Sequence, residues 1–318
     1  MTMTRPPPAP VVLAADGTAS SAGALRYAVQ EAVARRTGLR IVHVCPMVTA
    51  TVPIRPTPGV LPSIPSELSA HGGHVLERTV EEARSLAPGL VLSTLLAHGA
   101  RVGAITDAAS DAQLVVVGRE TRTGAERVLT GTTTAGVASR ARCPVVVVPG
   151  SWEAKDGTEP GGTVLVGIRT DADAADLMTV AHDWWALHGA AITVVHAWEL
   201  PDPVIDGFEG GSHVENGQVR GQRLLDRALA AWRHQHSDVP LETRVVRGHP
   251  APVLAAAAEA ADLVLVRRAH EHRPFDHLGG TVRALLLACR APVEVVPTDL
   301  ARLSAGDLVL EESGHLAR

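Results

Sequence analysis

Val11-Val12-Leu13-Ala14-Ala15-Asp16-Gly17-Thr18 is a short apolar run that stops at a turn signal, and it returns later as Val164-Leu165-Val166-Gly167-Ile168-Arg169-Thr170-Asp171. Further pairs follow in the same order. Leu39-Arg40-Ile41-Val42-His43-Val44 matches Ala191-Ile192-Thr193-Val194-Val195-His196-Ala197, and Asp111-Ala112-Gln113-Leu114-Val115-Val116-Val117-Gly118 matches Ala261-Asp262-Leu263-Val264-Leu265-Val266-Arg267. Arg142-Cys143-Pro144-Val145-Val146-Val147-Val148-Pro149 matches Arg290-Ala291-Pro292-Val293-Glu294-Val295-Val296-Pro297. The offsets lie between 148 and 153 residues, which marks a duplicated domain.

The apolar runs show little polar alternation, as expected of parallel strands covered on both faces. Between them, residues 20–36, 67–86 and 102–110 carry helical spacing, with Leu25, Ala28, Val29 and Ala32 on one face. Residues 173–187, 214–236, 251–260 and 281–289 do the same in the second copy. Each copy therefore reads β-α-β-α-β-α-β-α-β. That order predicts an α/β fold of two tandem, doubly wound, five-stranded parallel-sheet domains of Rossmann-like type. The boundaries are a tail at 1–10, a first domain at 11–150, a linker at 151–162, a second domain at 163–298 and a tail at 299–318. Residues 46–65 hold six prolines and read as a surface excursion after the second strand.

Composition excludes several functions. The 318 residues are 46% hydrophobic, 20% charged and only 3% aromatic, with a net charge of −5. No basic field draws the chain to nucleic acid or anionic membranes, and few rings exist to stack on bases. Lys155 is the single lysine, so a P-loop lysine is excluded. No stretch approaches the ~20 apolar residues of a membrane span, and no signal peptide opens the chain, so a cytoplasmic location is expected. Cys45, Cys143 and Cys289 sit among apolar neighbours and read as buried thiols. The histidines of His270-Glu271-His272 and His277, and the pair His234 and His236, lack metal-ligand spacing and read as exposed loop residues. Trp184, Trp185 and Trp232 read as core or interface, and Glu294 as an exposed edge position in the last strand.

In such sheets, ligands bind beyond the carboxyl ends of the strands where the strand order reverses. Three segments of the first copy meet there: 14–18, His43-Val44, and the turn Gly118-Arg119-Glu120-Thr121-Arg122-Thr123-Gly124 leading to Gly131-Thr132-Thr133-Thr134 at an expected helix start.

On these residues the chain resembles a tandem universal stress protein over both copies, which implies an adenine-nucleotide alpha-hydrolase-like fold. In relatives that bind ATP the phosphate loop follows G-x-x-G-x9-G-S/T. Here Gly118 and Gly131-Thr132 keep their separation, with Thr121 in place of the second Gly. The resemblance implies an ATP site, with Mg2+, built from Ala14, Asp16, Val44, Gly118, Arg119, Thr121, Gly124, Gly131, Thr132 and Thr133. Bare backbone at the glycines would approach phosphate oxygens, and the helix near Thr132 would present its N–H groups. Asp16 would face the nucleoside and the backbone at Val44 the adenine edge.

Thr121 costs ~1–2 kcal/mol if the loop needs a positive φ there. Glu120 places a carboxylate near the phosphates, and helix capping with Thr18 and Ser20 explains Asp16 equally well. In the second copy Arg169, Arg267 and His270 replace the Asp and two glycines, leaving Gly280-Thr281, so that site reads as degenerate; the charges of Arg267, Arg268 and Arg273 could bind a different anion but better suit a solvated or interface role.

The expected protein binds or senses ATP through its first domain. It has no catalytic residues or metal ligands of its own and at most slow, incidental hydrolysis. The alternative is a nucleotide-independent scaffold or dimerisation module in the stress response. An ATP-pyrophosphatase ranks lower, because Ala14-Ala15-Asp16-Gly17 is not the Ser-Gly-Gly loop of that group. The resemblance also implies an intramolecular pseudo-dimer joined through the last strand of each domain, with pairing of chains into a homodimer left open.

Overall fold

A computed structural model describes residues 8–18, 21–46, 66–119, 127–153, 161–199, 212–269 and 278–298. The chain divides into two compact units, one of Met1–Ala141 with Val148–Ala154 and the other of Arg142–Val147 with Lys155–Arg318.

The first repeat runs β1 (Val11–Ala14), α1 (Ala22–Ala34), β2 (Leu39–Cys45), α2 (Ser66–Leu86), β3 (Leu92–His98), α3 (Arg101–Ala108), β4 (Leu114–Arg119), α4 (Arg127–Arg140) and β5 (Val145–Pro149). The second runs β6 (Thr163–Gly167), α5 (Asp171–His188), β7 (Ala191–Trp198), α6 (Ser212–Gln235), β8 (Leu241–Arg247), α7 (Pro250–Ala257), β9 (Leu263–Arg267), α8 (Gly280–Ala288) and β10 (Val293–Val296). Strand orders are β3-β2-β1-β4 in the first unit and β8-β7-β6-β9-β10 in the second. Strands β1 to β4 pair in parallel, as do β6 to β10. This is the alternating α/β architecture read from the repeats.

The strand interiors are the core because helices cover both faces. Leu13, Ile41, Leu114, Leu165, Ile192 and Leu265 are fully buried. α1 lays Ala24, Leu25, Ala28, Val29 and Ala32 on this core, the predicted face. Small alanines there bring helix and sheet close, which suits a chain with so few aromatic rings. The three cysteines are buried and form no disulfide.

Glu294 is corrected by the structure. It is 1% exposed and lies mid-strand in β10, with Leu265 of β9 on one side. On the other side lie Val145, Val146 and Val147, which belong to this second unit and pair antiparallel with β10. An acidic residue in a strand suggests an edge, but here a further strand closes that edge. Among the described residues no helix is long and apolar enough to cross a membrane. The expected excursion at 46–65 lies almost wholly outside them.

Candidate nucleotide crevices

In each repeat the strand order reverses beside the first strand, so a crevice forms between β1 and β4 and again between β6 and β9. The registers are equivalent. Ala14 lies against Val42 and Val117, and Gly167 lies against Val195 and Val266. Gly118 and Arg267, each one residue further on, therefore occupy the same place in the two crevices.

In the first unit the Ala15 N–H extends the ladder by donating to Val42 O at 2.9 Å. Asp16 follows, exposed, and Oδ1 accepts from both Thr18 N (2.9 Å) and Thr18 Oγ1 (2.7 Å). The carboxylate thus closes the β1–α1 turn on itself. It does not cap α1, whose N-cap is Ser21; Ser20 lies outside the described residues. Gly17 adopts φ +77°, and a Cβ there would stand 2.7 Å from Val75 Cγ2 on α2. Only glycine suits this turn. Val44 is buried in β2, Ala14 and Gly118 are half-buried, and Arg119 O accepts from Gly150 N at 2.9 Å.

Ala14, Asp16, Val44, Gly118 and Arg119 thus belong to the crevice end of the first unit. Glu120, Thr121 and Gly124 lie outside the described residues. Gly131 and Thr132 are not at a helix start. α4 begins at Arg127, so Gly131 is the first residue whose N–H can meet a carbonyl four residues back within the helix. The N–H groups that a helix start leaves without an intrahelical partner belong to the turn before it. Thr133, one position on, is half-buried within the same helix.

The second crevice is a cavity of about 320 Å³ walled by Ile168, Val195, Leu254, Val266, Leu278 and Val282 among others. Arg267 reaches into its polar end. Its Nη1 contacts Asp173 Oδ1 at 3.2 Å, and its Nε lies 3.0 Å from Asp176 Oδ2 as an ion pair without hydrogen-bond alignment. The arginine side chain is 14% exposed and the two carboxylates 6% and 7%. Asp173 is further satisfied by the N–H groups of Thr170 (2.9 Å) and Arg169 (3.2 Å), one arm of a capping box at the start of α5.

A solvated or interface role for Arg267 is therefore corrected: the guanidinium is buried against two carboxylates of its own unit. Two acidic residues three apart near the start of α5, Asp173 in its first turn and Asp176 in its second, are the sequence signal for this lock. Beside it, burial pushes the Arg268 guanidinium below its ordinary pKa. Gly279 (φ +74°) precedes α8, so Gly280-Thr281 do open a helix at this crevice. Arg273 and His270 lie outside the described residues.

Elsewhere, residues 270–272 and 277 are also outside the described set, whereas His236 packs against His182 with ring centroids 4.2 Å apart and the rings tilted by 44°. Among the described residues no three metal-capable side chains cluster. Trp184 is buried, and Trp185 and Trp232 are half-buried. A larger hollow of about 490 Å³, lined by Thr163, Ala191, Pro240 and Leu241 among others, lies at the opposite ends of β6, β7 and β8, away from these groups.

The sequence profile of the Universal stress protein family matches residues 9–149 and again 162–297. A universal stress protein of Mycolicibacterium smegmatis is 29% identical over 295 residues, covering 90% of this chain and 96% of that protein. One of Mycobacterium tuberculosis is 28% identical over 309 residues, covering 92% and 96%. Among solved structures, a universal stress protein from Archaeoglobus fulgidus superposes with a TM-score of 0.66 at 16% identity, covering 91% of this chain and 96% of that one. A functionally unknown protein from Pseudomonas aeruginosa gives 0.60 at 16% identity, covering 93% and 95%.

Proposed function

Because the chain belongs to the universal stress protein family, we propose that it binds or senses an adenine nucleotide, ATP with Mg2+, through its first unit alone. The second unit carries the degenerate copy of the site. The observation that carries this reading is the pairing of Gly118 with Arg267 at one register position. Where the first crevice has bare backbone, the second has a guanidinium already held by two carboxylates. A phosphate entering the second crevice would displace Arg267 and meet Asp173. In the first it would meet main chain at Gly118, which suits close approach by an anion. Mg2+ would enter with the phosphates and offset their charge.

The reading is of binding without dedicated hydrolysis. Asp16, the carboxylate at the mouth of the first crevice, already accepts two hydrogen bonds from Thr18 and is poorly placed to activate water. A cytoplasmic site of action goes with this reading.

One observation favours a second reading, a scaffold without ligand. With α4 starting at Arg127, the Gly131 N–H is engaged inside the helix and cannot cradle phosphate. Calorimetric titration of the full chain with ATP and Mg2+ separates the two. The nucleotide reading expects one site per chain, weakened at least tenfold by Gly118→Arg, which copies the second crevice into the first. Silence at millimolar ATP would establish the scaffold instead.

A further inference from the structure

Strand β3 pairs with β2 on one side only, and among the described residues nothing pairs with its other edge. Its sequence, Leu92-Ser93-Thr94-Leu95-Leu96-Ala97-His98, has no acidic residue, lysine, arginine or proline. Its counterpart β8 is also an outer strand, but carries Glu242, Arg244 and Arg247, with Arg244 bonded to Glu242 at 2.8 and 3.0 Å. Charges of that kind guard an edge against pairing. β3 has no such guard.

Exposed apolar side chains gather at the same place. Leu95 in the strand is 40% exposed, Val91 just before it 74%, and Leu86 at the end of α2 46%. A groove of about 450 Å³ runs along this edge, between Leu92, Ser93 and Thr94 of β3 and the flank of α2 that carries Leu76, Glu77, Val80 and Arg84. Glu77 and Arg84 are two helical turns apart on that flank, with Val80 between them.

We propose that this edge is a two-fold interface with a second copy of the chain, β3 pairing antiparallel with β3. A two-fold axis beside Ser93 and Thr94 lays the α2 helices side by side and antiparallel. Val80 then meets Val80 of the partner subunit, and Glu77 faces the partner's Arg84 at both ends. This charge arrangement is complementary to itself, as an isologous contact requires. The spacing closes as well. Strands in one sheet lie ~4.8 Å apart, and α2 packs over β2 and β3, so the two helices would stand about 10 Å apart, an ordinary packing distance. The existing contact of Glu77 with His74 at 3.2 Å is between two exposed groups and yields easily. The proposal is independent of whether nucleotide binds.

Sedimentation of the full chain over a concentration series tests it. The expected result is a reversible dimer, weakened at least tenfold by Glu77→Arg and equally by Arg84→Glu. The double variant E77R/R84E restores wild-type affinity within a few-fold, and Thr94→Lys in the exposed edge abolishes the dimer. Unchanged circular dichroism confirms that each variant folds. A chain that stays monomeric overturns the proposal. So does a dimer indifferent to the two charge reversals, or one that responds instead to Arg244→Glu on β8.

Discussion

His43 and His196 make the same hydrogen bond in the two halves of the chain. Nδ1 of His43 donates to Ala15 O at 2.8 Å and Nδ1 of His196 to Ile168 O at 2.9 Å, in each case the carbonyl of the first residue past the opening strand. A carbonyl only accepts, so the proton is fixed on Nδ1 in both rings. Both imidazoles are buried, and each is crossed closely by a helix at a glycine, Gly72 on α2 and Gly221 on α6. The bond ties the second strand of each repeat to the turn that opens its crevice.

Removing this tie has a defined cost. His43→Phe keeps an aromatic ring, though a larger one, and loses the donor, leaving Ala15 O without this partner in the interior. A loss of about 1–3 kcal/mol is expected, read from the urea midpoint. His196→Phe is expected to cost the same in the second unit. A loss at one site and none at the other would show that the two bonds are not equivalent.

Much of the fold was legible because two periodicities are strong in this chain. Unbroken apolar runs such as Val115-Val116-Val117 marked the parallel strands, and α2 was read at 67–86 against an observed Ser66–Leu86. The repeat also brought His43 into line with His196, yet their partners lie 28 residues upstream and no local pattern names them. The start of α4 was misplaced for a local reason. Gly131-Thr132-Thr133-Thr134 reads as a helix opening because glycine and β-branched residues are weak within helices. Packing overrides that preference further along, where a Cβ at Gly136 would stand 2.6 Å from Val102 Cγ2 of α3. Arg267 was misjudged because its partner Asp173 is 94 residues away.

The lock in the second crevice should be costly to open. Arg267→Met keeps an unbranched stem of similar bulk but no charge, leaving the buried Asp173 and Asp176 carboxylates without that cation and Asp173 with only the exposed Arg169, 3.9 Å away. Breaking one side of a buried pair typically costs ~3–5 kcal/mol, and a loss at the lower end of that range is expected in denaturant unfolding. Asp173→Ala removes an arm of the capping box as well as an ion-pair partner, and is expected to cost at least as much as Asp176→Ala.

The Arg40–Asp111 pair gives a pH dependence. Arg40 Nη1 and Nη2 meet Asp111 Oδ1 and Oδ2 at 2.6 and 3.0 Å, a two-point contact at the protein surface. Hydrogen bonding to Arg40 holds the Asp111 carboxyl below the usual aspartate range. A lowered folded-state pKa stabilises above the unfolded value, about 3.9, and the gain is lost as pH falls through the folded value. With the aspartate side chain 59% exposed, solvent limits the pair to about 0.2–1 kcal/mol. Asp111→Asn should therefore lower stability slightly at pH 7 and match wild type below the folded pKa. A difference that grows in acid would contradict this assignment.

Adjacent glycines on α2 should respond to alanine with opposite signs. At Gly72 a Cβ would stand 2.6 Å from Leu96 Cδ1, 2.8 Å from Cys45 Sγ and 3.0 Å from His43 Cδ2, so the helix can lie this close to the sheet only without a side chain. Overpacking costs ~1–3 kcal/mol, and the gain in helix propensity is about 1 kcal/mol, so Gly72→Ala is expected to be net destabilising. At Gly73 a Cβ meets no atom within 4 Å. Gly73→Ala keeps the propensity gain without the clash and should stabilise by about 0.5–1 kcal/mol. Thermal unfolding of the two variants side by side isolates the contact from the helix, because propensity is common to both. Equal shifts would mean that α2 is free to lift from the sheet at Gly72, and that His43 is not pinned from above.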